Sequence, residues 1–214
     1  PGSRSAPLAV AAGLLEPHGL QLLTAVDERS AAFLAVGLGR ADGRPAAVVT
    51  TSGTAVANLL PAVVEADHGM VPLLLLTADR PQRLKGCGAN QTVNQEAFLA
   101  PCCRWMAMAD PLGLGAMDGA AVEALAARAW RAVLAAPMGP VHLNLPFEEP
   151  LHATEHDLEQ ALLTPQLSPS ALQHPADPEA DQSGIGDLDA SFGVLDPQQP
   201  GLVVEVPWRA PAEA

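Results

Sequence analysis

The sequence contains no tyrosine, and aromatic residues fill only 3% of its 214 positions. Any core must therefore be packed from Ala, Leu and Val, which dominate an apolar share of 49%. Long apolar runs are also missing. The strongest, 71–76, is far shorter than the roughly 20 residues that cross a bilayer. No start resembling a secretory signal is present. No basic cluster occurs that could neutralise phosphates, which excludes a nucleic-acid partner on electrostatic grounds. Three cysteines, Cys87, Cys102 and Cys103, lack zinc-site spacing and read as reduced thiols of a cytoplasmic protein. For the same reason Asn90-Gln91-Thr92, a formal glycosylation acceptor, carries no meaning without secretion. The six histidines show no ligand spacing, and no metal site is expected in this chain. His142 alternates within a strand pattern and reads as a core or rim residue. The phosphate-cradling GxxxxGK[ST], a complete GxGxxG and GxSxG are all absent.

What is present is unevenly distributed. The formal charge is −13. Residues 1–150 hold 13 acids and 10 bases, a balance of only −3. Residues 151–200 hold nine acids and no Lys or Arg, with repeated prolines. That stretch reads as a solvated linker, with 155–163 able to form a short helix. A new apolar strand pattern then begins at 201–206. The chain is expected to comprise a domain over 1–150, an acidic Pro-rich linker over 151–200, and over 201–214 the first strand of a truncated middle domain.

Within 1–150, strand and helix signals alternate. Strands are predicted at 22–26, 46–51, 72–77 and 141–145. Helices are predicted at 5–15, 29–41 (closed by Gly43), 54–66 (capped by Thr54) and 119–135. The strands are continuously apolar rather than alternating, as in a parallel sheet covered on both faces. The fold class is thus α/β, a doubly wound parallel sheet. Pro1-Gly2-Ser3-Arg4 has the form of a strand-to-helix turn without its strand, so the first strand is expected to be missing. A sheet without that central strand would expose an edge and is expected to aggregate or dimerise.

Four segments fall where such a sheet gathers ligands, at the carboxyl ends of its strands. They are Pro1-Gly2-Ser3-Arg4-Ser5, Asp27-Glu28-Arg29, Thr51-Ser52-Gly53-Thr54 and Thr77-Ala78-Asp79-Arg80-Pro81. Taken singly, each can be a helix cap. Together they put a carboxylate, arginines and helix N-termini on one rim, which suits an anionic ligand. Glu28 is either a helix-terminus charge or a proton-handling group.

These four segments, with Asn58, Gly86-Cys87-Gly88-Ala89-Asn90-Gln91 and Val141-His142-Leu143-Asn144-Leu145-Pro146-Phe147, carry a family resemblance over 1–150. The chain resembles the pyrimidine-binding domain of the thiamine-diphosphate-dependent 2-succinyl-5-enolpyruvyl-6-hydroxy-3-cyclohexene-1-carboxylate synthases. Pro207-Trp208-Arg209 is similar to the start of that family's middle domain.

The resemblance implies a C–C bond-forming transferase of menaquinone or phylloquinone synthesis. It would decarboxylate 2-oxoglutarate and add the succinyl unit to isochorismate. Glu28 matches the glutamate that shares a proton with the cofactor's pyrimidine ring nitrogen, so Glu28 and Gln91 are the expected catalytic residues. Glu28, Ser52, Gly53 and Asn58 are the expected cofactor-binding residues. Ser3, Arg4, Arg80, Asn90 and Gln91 match the positions around the substrates, where arginine grips a carboxylate bidentately. The cofactors implied are thiamine diphosphate and Mg²⁺ or Mn²⁺, the ion being bound by a domain outside these residues. The full-length protein would be a homodimer or homotetramer, and this chain alone would be inactive. Two alternatives stay open: a free-standing binding or regulatory domain that pairs with a partner chain, and a fragment of another thiamine enzyme such as an acetohydroxyacid synthase relative.

Overall fold

The computed structural model describes residues 2–163 and 202–205. The chain divides into two units, 1–153 with 201–214, and 154–200. In the first unit six strands form one sheet in the order β1-β6-β2-β3-β5-β4. They are β1 (Gln21–Thr24), β2 (Ala46–Thr50), β3 (Leu73–Asp79), β4 (Trp105–Met108), β5 (Pro140–Pro146) and β6 (Leu202–Glu205). Every pairing is parallel. The connecting helices are α1 (Ala6–Leu15), α2 (Glu28–Asp42), α3 (Thr54–Ala57), α4 (Leu60–His68), α5 (Glu96–Leu99) and α6 (Gly119–Leu134). The expected doubly wound α/β fold is the one observed.

Side chains of a strand alternate between faces, and β3 sorts its leucines accordingly. Leu73 and Leu75 enter one core with Ala31, Ala32 and Ala35 of α2 and Ala62, Val63 and Ala66 of α4. Leu74 and Leu76 pack against a second core, where Ala129 and Val133 of α6 meet Val141, Leu143 and Leu145 of β5. The aromatic poverty of the sequence is met by alanine, which lets helices lie close to the sheet. All seven residues of β5 are buried, as continuous burial of a central parallel strand requires.

Several boundaries differ from expectation for local reasons. Helix α2 begins one residue early, at Glu28, because Asp27 is its N-cap and accepts from the Ser30 amide. Gly43, at φ 67°, closes it as expected. The single helix expected over 54–66 is broken into α3 and α4. Pro61 has no amide to offer the Ala57 carbonyl one turn earlier, and its ring crowds that turn. Edge strand β4 was not foreseen, its four residues being too few to show a period.

Strand β6 lies between β1 and β2, pairing Leu22 with Val203 and Ala47 with Val203. The strand expected to open a separate middle domain is instead a strand of the first sheet, and β1 joins that sheet through β6. Residues 164–200 and 206–214 lie outside the described residues, as do the remaining linker and middle-domain assignments.

The described part of the second unit is α7 (Glu155–Leu163). Thr154 and Asp157 cap it reciprocally: the Asp157 amide donates to Thr154 Oγ1, and the Thr154 amide donates to Asp157 Oδ2. Among the described residues no helix is long and apolar enough to cross a membrane.

Two glycines of α2 make the packing testable. A Cβ on buried Gly39 would stand 2.9 Å from the Pro72 carbonyl oxygen, whereas one on exposed Gly37 meets nothing within 4 Å. Gly39→Ala is expected to destabilise the fold by about 1–3 kcal/mol. Gly37→Ala is expected to stabilise it by about 0.5–1 kcal/mol. Urea unfolding of both variants checks the pair.

Candidate functional site

The rim is assembled strand by strand. Beyond β1, the Asp27 carboxyl is held below its ordinary range by hydrogen bonds from the Ser30 amide and hydroxyl. Its neighbour Glu28 is the first residue of α2 and is half-buried. The Asn58 amide donates to Glu28 Oε2 at 3.3 Å. That contact ties the start of α2 to the residue that ends α3. Among the described residues no side chain or amide engages Glu28 Oε1.

Beyond β2, the turn at 51–53 is packed from two sides. A Cβ on Gly2 would lie 2.6 Å from Thr51 Oγ1, so only glycine allows this approach. The approach brings the short helix Ser3–Ser5 onto the turn. Ser3 is exposed. Arg4 is almost fully buried, donates to the Phe147 carbonyl at 2.8 Å and pairs with Glu149 at 3.6 Å. Gly53 adopts φ 85°, ψ −132°, a conformation open to glycine. A Cβ there would stand 3.2 Å from the Gln91 carbonyl oxygen.

Beyond β3, Arg80 bridges two loops. One guanidinium nitrogen donates to buried Ser52 Oγ and to the Gln91 carbonyl. Gln91 is exposed at φ 55°, and Asn90 beside it is exposed as well. Burial lowers the Arg80 pKa from its ordinary value, and the nearby Arg4 charge lowers it further, against an opposite pull from Asp79. Guanidinium groups are the side chains best suited to a carboxylate or phosphate, and here two stand within electrostatic reach of each other.

The structure thus brings together Arg4, Ser52, Gly53, Arg80 and Gln91, and separately Glu28 with Asn58. Ser3 and Asn90 stand exposed on the same loops. Among the described residues no group of three or more His, Cys, Asp and Glu could hold a metal ion.

Beneath the rim lies a polar lattice that the linear pattern does not announce. Asp79 is fully buried. Its Oδ1 accepts from the Arg80 amide at 2.8 Å. Its Oδ2 accepts from Asn144 Nδ2 at 2.8 Å and from Lys85 at 2.8 Å. Lys85 also pairs with Glu96. Burial alone would depress the Lys85 pKa, but the bonds to Asp79 and Glu96 outweigh it and raise the value. Gln95, also fully buried, donates to Asn144 Oδ1 at 2.7 Å and the Ala78 carbonyl at 3.1 Å. Its Oε1 accepts from the Gly53 amide at 3.1 Å. One signal was available: His142 and Asn144 are polar at a spacing of two in an otherwise apolar strand. They share the face of Thr77, to which both hydrogen-bond.

Residues 1–98 match the family model described as thiamine pyrophosphate enzyme, N-terminal TPP binding domain. Over that stretch, a little under half of its length, the chain is similar to the N-terminal cofactor domain of that enzyme class. At finer grain, it is similar along nearly its whole length to proteins named 2-succinyl-5-enolpyruvyl-6-hydroxy-3-cyclohexene-1-carboxylate synthase. That of Synechococcus sp. (strain RCC307) is 56% identical over 98% of this chain and 34% of its own length. That of Parasynechococcus marenigrum (strain WH8102) is 57% identical over 100% of this chain and 38% of its own length. That of Prochlorococcus marinus (strain MIT 9313) is 53% identical over 98% of this chain and 36% of its own length. The chain spans about a third of the length of these relatives.

The lattice has a pH signature. Thr77 Oγ1 donates to Asn144 Oδ1 and is left to accept from His142 Nε2 at 2.7 Å. Burial pushes the His142 pKa down to about 4, opposed by the Asp79 charge. A histidine freed by unfolding titrates near 6.5, so below that value the unfolded state binds the extra proton. The stability held by neutral His142 is complete above about pH 6.5 and is lost as pH falls toward about 4, by about 3 kcal/mol. Urea midpoints at pH 4.5 and 7.5 should diverge less in His142→Gln than in the wild type.

Proposed function

We propose that this chain is the pyrimidine-binding part of a thiamine-diphosphate-dependent synthase. The enzyme decarboxylates 2-oxoglutarate and adds the succinyl unit to isochorismate, giving 2-succinyl-5-enolpyruvyl-6-hydroxy-3-cyclohexene-1-carboxylate. The observation that carries this is the placement of half-buried Glu28 beyond β1 and half-buried Arg80 beyond β3 of one parallel sheet, with buried Arg4 in electrostatic reach of Arg80. Similarity to the named synthases supports the choice of substrates.

Glu28 fits the cofactor's pyrimidine ring. One oxygen is fixed by Asn58, and the other has no protein partner among the described residues. Thiamine diphosphate, when bound, supplies the electron sink for the pair released on decarboxylation. Glu28 holds and moves a proton at the pyrimidine ring nitrogen; glutamine would fill the same space without shuttling it. Asn58 orients that carboxylate, and the Ser52-Gly53 turn borders the ring. Arg4 and Arg80, with Ser3 and Asn90, take the carboxylates of the two dianionic substrates. Gln91 orients a reacting carboxylate without adding a titrating group.

The diphosphate and a Mg²⁺ or Mn²⁺ ion are held, in this proposal, by a domain outside these residues, in a homodimer or homotetramer. The enzyme is cytoplasmic and serves menaquinone or phylloquinone synthesis. The test is Glu28→Gln in the full-length protein. Turnover of 2-oxoglutarate with isochorismate should fall by about 10²–10⁴-fold, with folding unchanged by circular dichroism. Near-normal turnover would refute the role assigned to Glu28.

A further inference from the structure

Gln95 lies in neither cluster of rim residues, yet it is the side chain through which the sheet reaches the Ser52-Gly53 turn. It sits immediately before α5 and is fully buried. All its polar capacity is directed. Gly53 presents an N–H, so the atom facing it must accept, which fixes Oε1 there at 3.1 Å. Nε2 then donates to the Ala78 carbonyl at 3.1 Å and to Asn144 Oδ1 at 2.7 Å. Asn144 is fixed in turn, because its Nδ2 donates to Asp79 at 2.8 Å and to Glu96 at 2.9 Å.

Gly53 therefore has a support on each side. Its amide is held by Gln95, while the backbone of Gln91 closes the space its Cβ would need. Arg80 locks the outer side by donating to both Ser52 and Gln91. A turn at φ 85° relies on such neighbours to exclude its alternatives.

We propose that Gln95 is a positioning residue: it fixes the Ser52-Gly53 turn, and through it Gln91, in the geometry that receives the cofactor. This rests on the pyrimidine-binding function proposed above. Leucine or methionine would fill the volume but strand the Gly53 amide, remove a donor from the Ala78 carbonyl and leave Asn144 Oδ1 to Thr77 alone, in a buried setting where unmade hydrogen bonds are costly. Glutamate would keep the acceptor for Gly53 and, only when protonated, a donor for Asn144. The charged and titratable groups around it are Asp79 on β3, Glu96 on α5, Lys85 between those elements, and His142 on β5.

The test joins a local readout to a functional one, using Gln95→Met and Gln95→Glu. Amide hydrogen exchange at Gly53 is followed by NMR, with Val48 and Leu75 as internal references. Thiamine diphosphate affinity is measured by calorimetry in the full-length protein with Mg²⁺. In Gln95→Met the Gly53 amide should exchange about tenfold faster or more, with Val48 and Leu75 unchanged. Thiamine diphosphate should bind about tenfold more weakly. In Gln95→Glu both properties should return toward wild type as pH is lowered and the carboxyl protonates, which keeps the test decisive if the methionine variant fails to fold. Unchanged Gly53 exchange in the folded variants, or unchanged affinity, overturns the proposal. Failure of the wild-type protein to bind thiamine diphosphate would instead refute the functional assignment, and Gly53 exchange would still report whether Gln95 holds the turn.

Discussion

One buried carboxylate organises the carboxyl end of this sheet. Asp79 lies at the end of β3 with no exposure to water. An ion at that depth costs several kcal/mol unless every lone pair is answered. The Arg80 amide, the Asn144 side chain and the Lys85 ammonium answer it. Each partner is thereby committed. Lys85 draws the loop after β3 back toward the sheet, and its second bond draws in Glu96 at the start of α5. The Asp79 carbonyl accepts from the Phe147 amide at 3.0 Å, which extends β5 alongside. The loops bearing Arg80, Asn90 and Gln91 are consequences of this anchoring.

The same arrangement explains why one face of the sheet changes character along its length. Toward the amino ends of the strands that face carries Val48, Leu73 and Leu75 against α2 and α4. Toward the carboxyl ends it carries Thr77, Asn144 and Asp79, with His142 level with Leu75 at the boundary, all buried. The apolar part supplies stability through close helix packing. The polar part converts strand ends into defined loop positions, because directional bonds specify geometry more tightly than apolar contact. Glu28 and Arg80 stand half-buried on the outer side of that polar layer, with buried Arg4 in electrostatic reach of Arg80. The apolar packing and the proposed anion site are thus separated along a single set of strands.

Much of this was legible in the chain. The alternation of apolar strands with helices announced the parallel sheet, and Asp27 and Gly43 announced the ends of α2, whereas Thr54, expected as a cap, is the first residue of α3 behind Gly53. The residues on the rim were legible too, since they follow strands in sequence. The layer beneath was not. Asp79 reads as one more rim residue beside Arg80 rather than as a buried anchor, and Gln95 gives no signal, because nothing in a linear pattern tells a solvated Gln from one that spans a sheet and a turn. Lys85 reads as a surface charge until Asp79 and Glu96 are seen on either side of it. Strand β6 was legible as a strand but not as the neighbour of β1, since pairing between distant segments leaves no local periodicity.

A double-mutant cycle between Asp79 and Lys85 tests the anchoring directly. Asp79→Asn, Lys85→Met and the double variant are unfolded in urea at neutral pH and compared with the wild type. If Asp79 is the anchor, Lys85→Met leaves the Asp79 carboxylate buried without its counter-ion, Asp79→Asn leaves Lys85 to Glu96 alone, and the two effects are coupled by more than about 1 kcal/mol. Additivity within about 0.5 kcal/mol would mean that the two groups contribute independently, and would contradict the role of Asp79 as the anchor of the rim.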